Sequence, residues 1–285
     1  MQQKLPLARL ETIANDIRED IIRMLEHAGS GHSAGPLGLA DIFTALYFDV
    51  MKYDPKDPAW EERDILLLSN GHCVPVQYAT MAHAGFFERK ELMTLRQLGS
   101  RLQGHPERTK LPGLENTSGP LGCGLSQACG MALAMRLDKR LQRRIYVVMG
   151  DGEQDEGNVW EAAMLASKYQ LSNIVAITDR NNIQIDGPTE KVMPLEDLHA
   201  KWQAFGWHVI EINGNDIEAV IDACAMAKAI VEKPVMILAH TVPGKGVDFM
   251  EYDFNWHGKP PDHQQAVKAL HELRTLGGRI RSEHE

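Results

Sequence analysis

Two apolar segments, each followed directly by polar residues, constrain the fold of this chain more than any other feature. Residues 145–149 and 174–177 are rich in β-branched side chains with no polar alternation, which is typical of strands buried on both faces. Residues 158–170 between them have helical spacing, so the unit is strand, loop, helix, strand. Such crossovers are right-handed and join parallel strands, so Asp151 and Asn181 are expected side by side at the carboxyl edge of a sheet.

The polar residues at these two strand ends have the chemistry of a metal and phosphate site. The Asp151 carboxylate and the Asn181 amide oxygen are hard donors, which suit Mg²⁺ and also Ca²⁺ or Mn²⁺. Gly150 and Gly152 allow a diphosphate to approach the backbone closely, and a following helix start adds N–H donors. For the Gly-Asp-Gly triplet alone, a tight turn that merely closes a buried strand is the alternative.

Composition restricts the class of protein. At 285 residues and 44% hydrophobic content, the chain can bury one large core. Its formal net charge of −9 argues against a general nucleic-acid or anionic-membrane surface. No apolar run approaches the roughly 18 residues of a membrane span, and the start lacks the apolar core of a signal peptide, so a cytoplasmic location is expected. The cysteines form no CxxC pair, which favours reduced thiols.

The remaining pattern predicts a single α/β domain over residues 1–285. Helices are predicted over residues 10–25, 39–48, 74–84, 125–137, 217–231 and 264–274, and further strands over residues 65–68, 209–212 and 235–239. This alternation indicates a doubly wound, mostly parallel sheet flanked by helices. Residues 99–122 are rich in Gly and Pro, which predicts a long functional loop.

Seven short blocks, in order along the chain, carry a resemblance to one enzyme family. They are Ser30-Gly31-His32, Ser69-Asn70-Gly71-His72, Gly104-His105-Pro106-Glu107, Gly119-Pro120-Leu121-Gly122, GDGEQDEG from Gly150, NNIQIDG from Asn181, and Trp256-His257-Gly258. Together they resemble the amino-terminal, diphosphate-binding part of transketolases, which use thiamine diphosphate. A complete transketolase continues into a pyrimidine-binding domain and a third domain. The resemblance therefore implies one subunit of a split transketolase.

The resemblance also implies cofactor and metal ligands. Cofactor contacts are implied for His72, Gly119, Leu121, Gly150, Asp151, Gly152, Glu153, Asn181, Ile183 and His257. The metal is expected on Asp151, on Asn181 and on the backbone carbonyl of Ile183. For Glu153 and Asp155 an alternative stays open, because an acidic run at a helix start often only complements the helix dipole.

Three histidines are the catalytic candidates. By resemblance, His32, His105 and His257 line the substrate channel, where neutral imidazoles can donate hydrogen bonds to sugar hydroxyls and move protons near neutral pH. A zinc site is the competing interpretation. The spacings are long and irregular and include no HxxxH or cysteine partner, so zinc is disfavoured.

The resemblance extends to the reaction and to the partners. It implies transfer of a two-carbon ketol unit from a ketose or its phosphate to an aldose or its phosphate, with thiamine diphosphate and a divalent ion. Glu156 aligns with the carboxylate that faces the partner across the interface. The expected assembly contains two of these chains and two carboxyl-terminal subunits. Sugars that carry phosphate, sulfonate or neither are all compatible with these residues.

Other functions are compatible with parts of the sequence. One component of a 2-oxoacid dehydrogenase or deoxyxylulose-phosphate synthase would share the Asp151 and Asn181 blocks, but is not expected to contain the His105 and His257 blocks. A noncatalytic diphosphate-binding module would bind the cofactor without turnover. An aspartyl phosphatase would need a DxD pattern, which is missing at Asp151.

Three sites depart from the usual family pattern. Ser33 and Ala34 stand where proline and glycine are usual, Lys259 stands where alanine is common, and Cys123 replaces a frequent glutamine. None of them removes an expected cofactor ligand. Their expected effect is on the shape of the histidine loops, and so on the substrate more than on the cofactor.

Overall fold

Five apolar segments pair in parallel to form one sheet. The computed structural model describes residues 4–140 and 142–275. The strands are β1 (Ile65–Leu68), β2 (Ile145–Gly150), β3 (Ile174–Arg180), β4 (Ile183–Gln184), β5 (Gly187–Pro188), β6 (His208–Asn213) and β7 (Val235–His240). The sheet has the order β1-β2-β3-β7-β6, and the two-residue strands β4 and β5 form a separate antiparallel hairpin. All pairings within the five-stranded sheet are parallel.

Helices cover both faces of this sheet. They are α1 (Leu7–Ala28), α2 (Ala34–Gly38), α3 (Ala40–Ala45), α4 (Val74–His83), α5 (Cys123–Leu137), α6 (Gly157–Lys168), α7 (Thr189–Val192), α8 (Leu198–Ala204), α9 (Ile217–Ala229) and α10 (His263–Thr275). A π-helical turn spans Leu46–Val50, and 3₁₀ turns span Gly71–Cys73, Arg89–Thr94, Gly152–Asp155 and Phe254–Trp256. None of the described helices has the length and apolarity needed to cross a membrane.

The core has two layers, because successive strand residues point to opposite faces. Tyr146 and Val148 of β2 belong to the cluster that includes α1, α3, α4, α9 and α10. Val147 and Met149 of the same strand belong to the cluster formed with α5, α6 and α8. A strand buried on both faces needs no polar alternation, which explains the continuous apolar runs in the sequence.

The predicted alternation of strands and helices is confirmed, with differences at element ends. β1 has the predicted bounds, and α1 stops at the predicted Gly29, which caps the helix after Ala28 and has a positive φ of 62°. The helix predicted over residues 39–48 is instead the short α3 followed by the π-helical turn. Residues 99–122 contain neither helix nor strand, as expected for a long loop.

Candidate functional site

The polar residues predicted to meet at the sheet edge do lie together. β2 and β3 pair with Gly150 opposite Asp179. The Asp151 N–H donates to the Asp179 carbonyl oxygen over 3.2 Å. Asn181 directly follows the end of β3. The parallel register therefore delivers Asp151 and Asn181 to neighbouring positions at the carboxyl edge.

Asp151 is 1% exposed, and its carboxylate accepts hydrogen bonds at both oxygens. The Gly152 N–H donates to Oδ1 over 2.7 Å. At Oδ2, the Asn182 N–H donates over 2.8 Å and the Arg180 guanidinium over 3.0 Å. Burial raises the pKa of this carboxyl, while the positive charge of Arg180 acts to lower it. Positive charge at this position therefore stabilises the ionised form of Asp151.

The Asn181 side chain is oriented by a second buried carboxylate. Its amide N–H donates to Asp179 over 2.8 Å, and its amide oxygen accepts from the Ile183 N–H over 3.0 Å. The Thr241 hydroxyl donates to the other oxygen of Asp179. Burial raises the pKa of Asp179 to about 7. The amide oxygen of Asn181 is thus held on the side away from Asp179.

Glu153 links the ends of strands β1 and β2 to the start of helix α5. Its buried carboxylate accepts from the Gly150 N–H over 3.0 Å, from the Gly122 N–H over 2.6 Å and from the Ser69 hydroxyl. Burial raises the pKa of Glu153, and these donors act to lower it. Ser69 follows β1, Gly150 ends β2 and Gly122 precedes α5. Glu153 therefore supports the glycine loops around the site through its carboxylate.

A pocket opens at this edge of the sheet. Every residue predicted to contact the cofactor lines it except Gly119. Gly119 lies against the His105 ring, since a Cβ added to Gly119 would be 3.8 Å from ring atoms of His105. The pocket is also lined by four residues to which the sequence pattern assigned no role, Asn70, Asp179, Gln184 and Ile185.

Three of the predicted histidines form a cluster, and two of them, His72 and His257, line this pocket. The ring centroid of His32 lies 4.9 Å from that of His72 and 5.7 Å from that of His257, and the last two lie 5.1 Å apart. Burial lowers the pKa of all three, and that of His32 falls to about 4. The Nδ1 atoms of His32 and His257 are buried, with no hydrogen-bond partner among the described residues. Neutral imidazoles with unpaired nitrogens are suited to bind a polar ligand.

His105 lies beside this cluster, together with an arginine that sequence reasoning missed. His105 is exposed, and partial burial, with the charge of Arg96, lowers its pKa. The Arg96 guanidinium donates to the Gly104 carbonyl oxygen over 3.4 Å, and its charge also acts to lower the pKa of His32. Arg96 has a positive φ of 60°. Such a placement depends on the fold of the whole loop, and no short motif signals it.

Glu156 lies outside the pocket. It is exposed and occupies the cap position immediately before α6. A Cβ added to Gly122 would lie 2.9 Å from the Glu156 Cβ, so the residue packs beside the loop that leads into α5. This is a surface position next to the site, as an interface residue requires.

The residues of the pocket fit a metal-bound diphosphate. Asp151 and Asn181 supply hard oxygen donors, and Gly152 keeps the backbone free of a side chain. The side-chain oxygen of Asn70, a 1% exposed residue, is buried without a hydrogen-bond partner in the described part of the chain. Within residues 4–140 and 142–275, no group of three or more His, Cys, Asp or Glu is arranged to hold a metal. A cation here would thus depend on one carboxylate with amide and backbone oxygens.

Sequence comparison identifies the family. Residues 10–277 match the family described as transketolase, thiamine diphosphate binding domain. The chain belongs to this family. The predicted resemblance and the predicted fold class are both confirmed, and membership favours transketolase over the other thiamine-diphosphate enzymes considered above.

Two similar relatives of this transketolase-family chain are separate subunits. One subunit of the apulose-4-phosphate transketolase of Phocaeicola vulgatus is 42% identical over 264 residues, which cover 93% of this chain and 93% of that protein. The 6-deoxy-6-sulfo-D-fructose transketolase subunit SqwG of a Clostridium species is 42% identical over 268 residues, covering 94% and 97%.

A solved structure places the match within a larger protein. Transketolase from Leishmania mexicana superposes with a TM-score of 0.87 at 37% identity. The match covers 95% of this chain and 41% of that one. The chain therefore spans less than half of this transketolase, but nearly the whole of the two separate subunits.

Proposed function

We propose that this chain is the diphosphate-binding subunit of a two-chain transketolase. In this proposal residues 1–285 act as one domain that binds thiamine diphosphate with Mg²⁺. The complete enzyme transfers a two-carbon ketol unit from a ketose to an aldose in carbohydrate metabolism. The observation that carries the proposal is that Asp151 and Asn181 line one pocket together with His72 and His257. The His32 ring contacts both of these imidazoles.

Cofactor and metal binding are assigned to the carboxyl edge of the sheet. Asp151, Asn181 and the Ile183 carbonyl would hold the ion, and the backbone around Gly152 would hold the diphosphate. Leu121 and His72 line the same pocket. When bound, thiamine diphosphate supplies the carbon that carries the two-carbon unit between sugars.

The histidines are assigned to the substrate. A neutral imidazole can donate a hydrogen bond to a sugar hydroxyl at one ring nitrogen, or accept its proton at the other. The depressed pKa of His32 and of His257 favours that neutral form at neutral pH. The positive charge of Arg96 lies close enough to affect His32 and His105, so a substrate with an anionic end group would be stabilised there.

The partner is proposed to be a separate carboxyl-terminal subunit that contributes the pyrimidine-binding side. The names of the similar subunits support this division, since both relatives are called transketolase subunits. We further propose an α2β2 assembly in the cytoplasm, with Glu156 at the interface. The two relatives are named for sugars that carry phosphate or sulfonate, so a ketose with an anionic group is the proposed donor class.

Mixing the two proteins tests this function. The purified chain alone should transfer no ketol unit from xylulose 5-phosphate to ribose 5-phosphate in the presence of thiamine diphosphate and Mg²⁺. Added partner should restore turnover, which should reach a plateau near a one-to-one ratio. Robust transfer by the isolated chain would refute the proposal of a two-chain enzyme. Tight cofactor binding without turnover at any ratio would instead favour a noncatalytic diphosphate-binding module.

A further inference from the structure

Two of the departures from the family pattern contact each other in the folded chain. The hydroxyl of Ser33 donates a hydrogen bond of 2.6 Å to the backbone carbonyl oxygen of Lys259. Ser33 is 0% exposed and Lys259 is exposed, so the hydroxyl end of this bond is buried and the carbonyl end lies at the surface. The two residues are 226 positions apart in sequence, and the bond therefore joins two distant loops.

Each of these loops carries one histidine of the cluster. Ser33 directly follows His32, and Lys259 lies two residues after His257. The two imidazole centroids are 5.7 Å apart in an edge-to-face arrangement. A Cβ added to Gly258 would lie 3.7 Å from Nε2 of His32, so the loops pack closely at this point. The Ser33 bond therefore lies next to the contact that sets the spacing of the imidazoles.

The local backbone shows why these residue types matter. Ser33 has φ of −103°, whereas proline, usual at this position, is restricted to about −65 ± 15° and has no hydroxyl. On the other loop, Lys259 Nζ lies 4.4 Å from the centroid of the Trp256 ring, and Trp256 is only 6% exposed. This cation–π contact joins the exposed Lys259 side chain to a buried ring of the same loop.

We propose that Ser33 and Lys259 form a latch that sets the spacing of His32 and His257 for the hydroxyls of the ketose donor. Ser33 is thus a positioning residue, which acts on the substrate through the two histidines. The proposal rests on the proposed function. It concerns the sugar chain of the donor and leaves cofactor binding to the pocket residues described above.

The test compares two ketol donors with the chain assembled with its partner subunit. Xylulose 5-phosphate presents sugar hydroxyls beyond the transferred unit, and hydroxypyruvate has none. Ser33→Ala should raise KM for xylulose 5-phosphate about fivefold, the change that corresponds to one neutral hydrogen bond. The kcat, and the KM for hydroxypyruvate, should stay within twofold of the original values. Ser33→Thr, which keeps the hydroxyl, should restore most of the loss.

A matched control separates positioning from stability. Thr44 is also 0% exposed and donates its hydroxyl to a backbone carbonyl, that of Ala40, at 2.7 Å. Thr44→Ala should change the melting temperature without changing the preference between donors. An equal KM increase for both donors in Ser33→Ala, or no increase for either, would overturn the latch.

Histidine NMR provides a readout that does not depend on turnover. The Cε1–H resonances of His32 and His257, assigned with His32→Asn and His257→Asn, should shift in Ser33→Ala and remain in place in Thr44→Ala. If the original complex transfers no ketol unit from either donor, the proposed function is wrong. These resonances still test whether the Ser33 hydrogen bond positions His32 and His257. Unshifted resonances in Ser33→Ala would overturn the latch.

Discussion

The side-chain amide of Asn181 donates a hydrogen bond of 2.8 Å to the carboxylate of Asp179, a residue only 1% exposed. The Thr241 hydroxyl donates to the same carboxylate. Above its pKa of about 7 the Asp179 carboxylate only accepts hydrogen bonds, and in that form it fixes which end of the Asn181 amide faces it. Asp179 therefore orients Asn181, a proposed metal ligand, as carboxylates that hydrogen-bond to metal ligands commonly do.

Removing the Asp179 carboxylate should weaken metal-dependent cofactor binding. Loss of such a supporting group typically lowers metal affinity by about 10- to 100-fold. Asp179→Ala should therefore require more Mg²⁺ for half-maximal binding of thiamine diphosphate, measured by calorimetry on the assembled complex. Asp64 is a matched control, since its buried carboxylate accepts from the Lys52 and Arg144 N–H groups just before β1. The prediction fails if Asp64→Ala raises the Mg²⁺ requirement equally.

Asp151→Ala should abolish Mg²⁺-dependent binding of thiamine diphosphate. The change removes a proposed metal ligand, and Arg180, which loses this partner, retains its 2.5 Å contact with Glu190. Calorimetric titration with and without Mg²⁺ measures the affinity, and thermal unfolding checks the fold. Undiminished Mg²⁺-dependent affinity in a folded variant would contradict the metal assignment.

Local sequence patterns predicted the elements that form the core. The strands at residues 65–68 and 174–177 were evident because both faces of the sheet are covered and their residues are uniformly apolar. Short elements were missed. The α8 helix (Leu198–Ala204) spans only about two turns, and the hairpin strands have two residues each. Neither is long enough to produce a recognisable period.

Some features of the site were likewise predictable from local sequence, and others depend on the tertiary structure. The pairing of Asp151 with Asn181 was predictable, since parallel strands deliver their following residues to one edge. The Arg180 contact with Asp151 and the Arg96 position beside His105 were not predicted, because they depend on side-chain directions and on a left-handed loop residue. Sequence spacing contains no information on either.

His105 should be needed for turnover and not for cofactor binding. It lies outside the diphosphate pocket, next to Gly119. If its imidazole acts on sugar hydroxyls, His105→Ala should lower kcat/KM by roughly 10²-fold, the lower end for general acid–base groups, and leave thiamine diphosphate affinity within twofold. Steady-state kinetics and calorimetry separate the two effects. His199, which is partly exposed and lies 3.0 Å from a carboxylate oxygen of Glu211, is a suitable control position. A matched loss of cofactor affinity would move His105 into the cofactor site.

Protonation of His32 should destabilise the fold in mild acid. Its folded-state pKa of about 4 lies below the usual 6.5 because burial and nearby positive charge disfavour the imidazolium. Between these values the unfolded chain binds a proton that the folded chain does not, so the free energy of unfolding falls as pH decreases from about 6.5 to 4.

His32→Asn tests this linkage, since the variant lacks that proton. Between pH 7.5 and 5, the free energy of unfolding of this variant should fall less than that of the original chain. The difference between the two decreases should be up to about 1–2 kcal/mol, because one pKa unit corresponds to 1.36 kcal/mol. Urea unfolding at the two pH values measures the difference. Parallel pH profiles for His32→Asn and the original chain would contradict the prediction.

Glu156 should contribute to assembly more than to the pocket. Its side chain is exposed at the start of α6, beside the Gly122 loop and outside the pocket lining. If it faces the partner subunit, Glu156→Ala should weaken association of the two subunits by about 5- to 30-fold, the cost of about 1–2 kcal/mol for one lost contact. Titration of labelled chain with partner, followed by anisotropy or sedimentation, measures this. Glu161, exposed one turn further along α6, is the matched control. Equal weakening by Glu161→Ala would indicate a general charge effect, and unchanged association in Glu156→Ala would remove this residue from the interface.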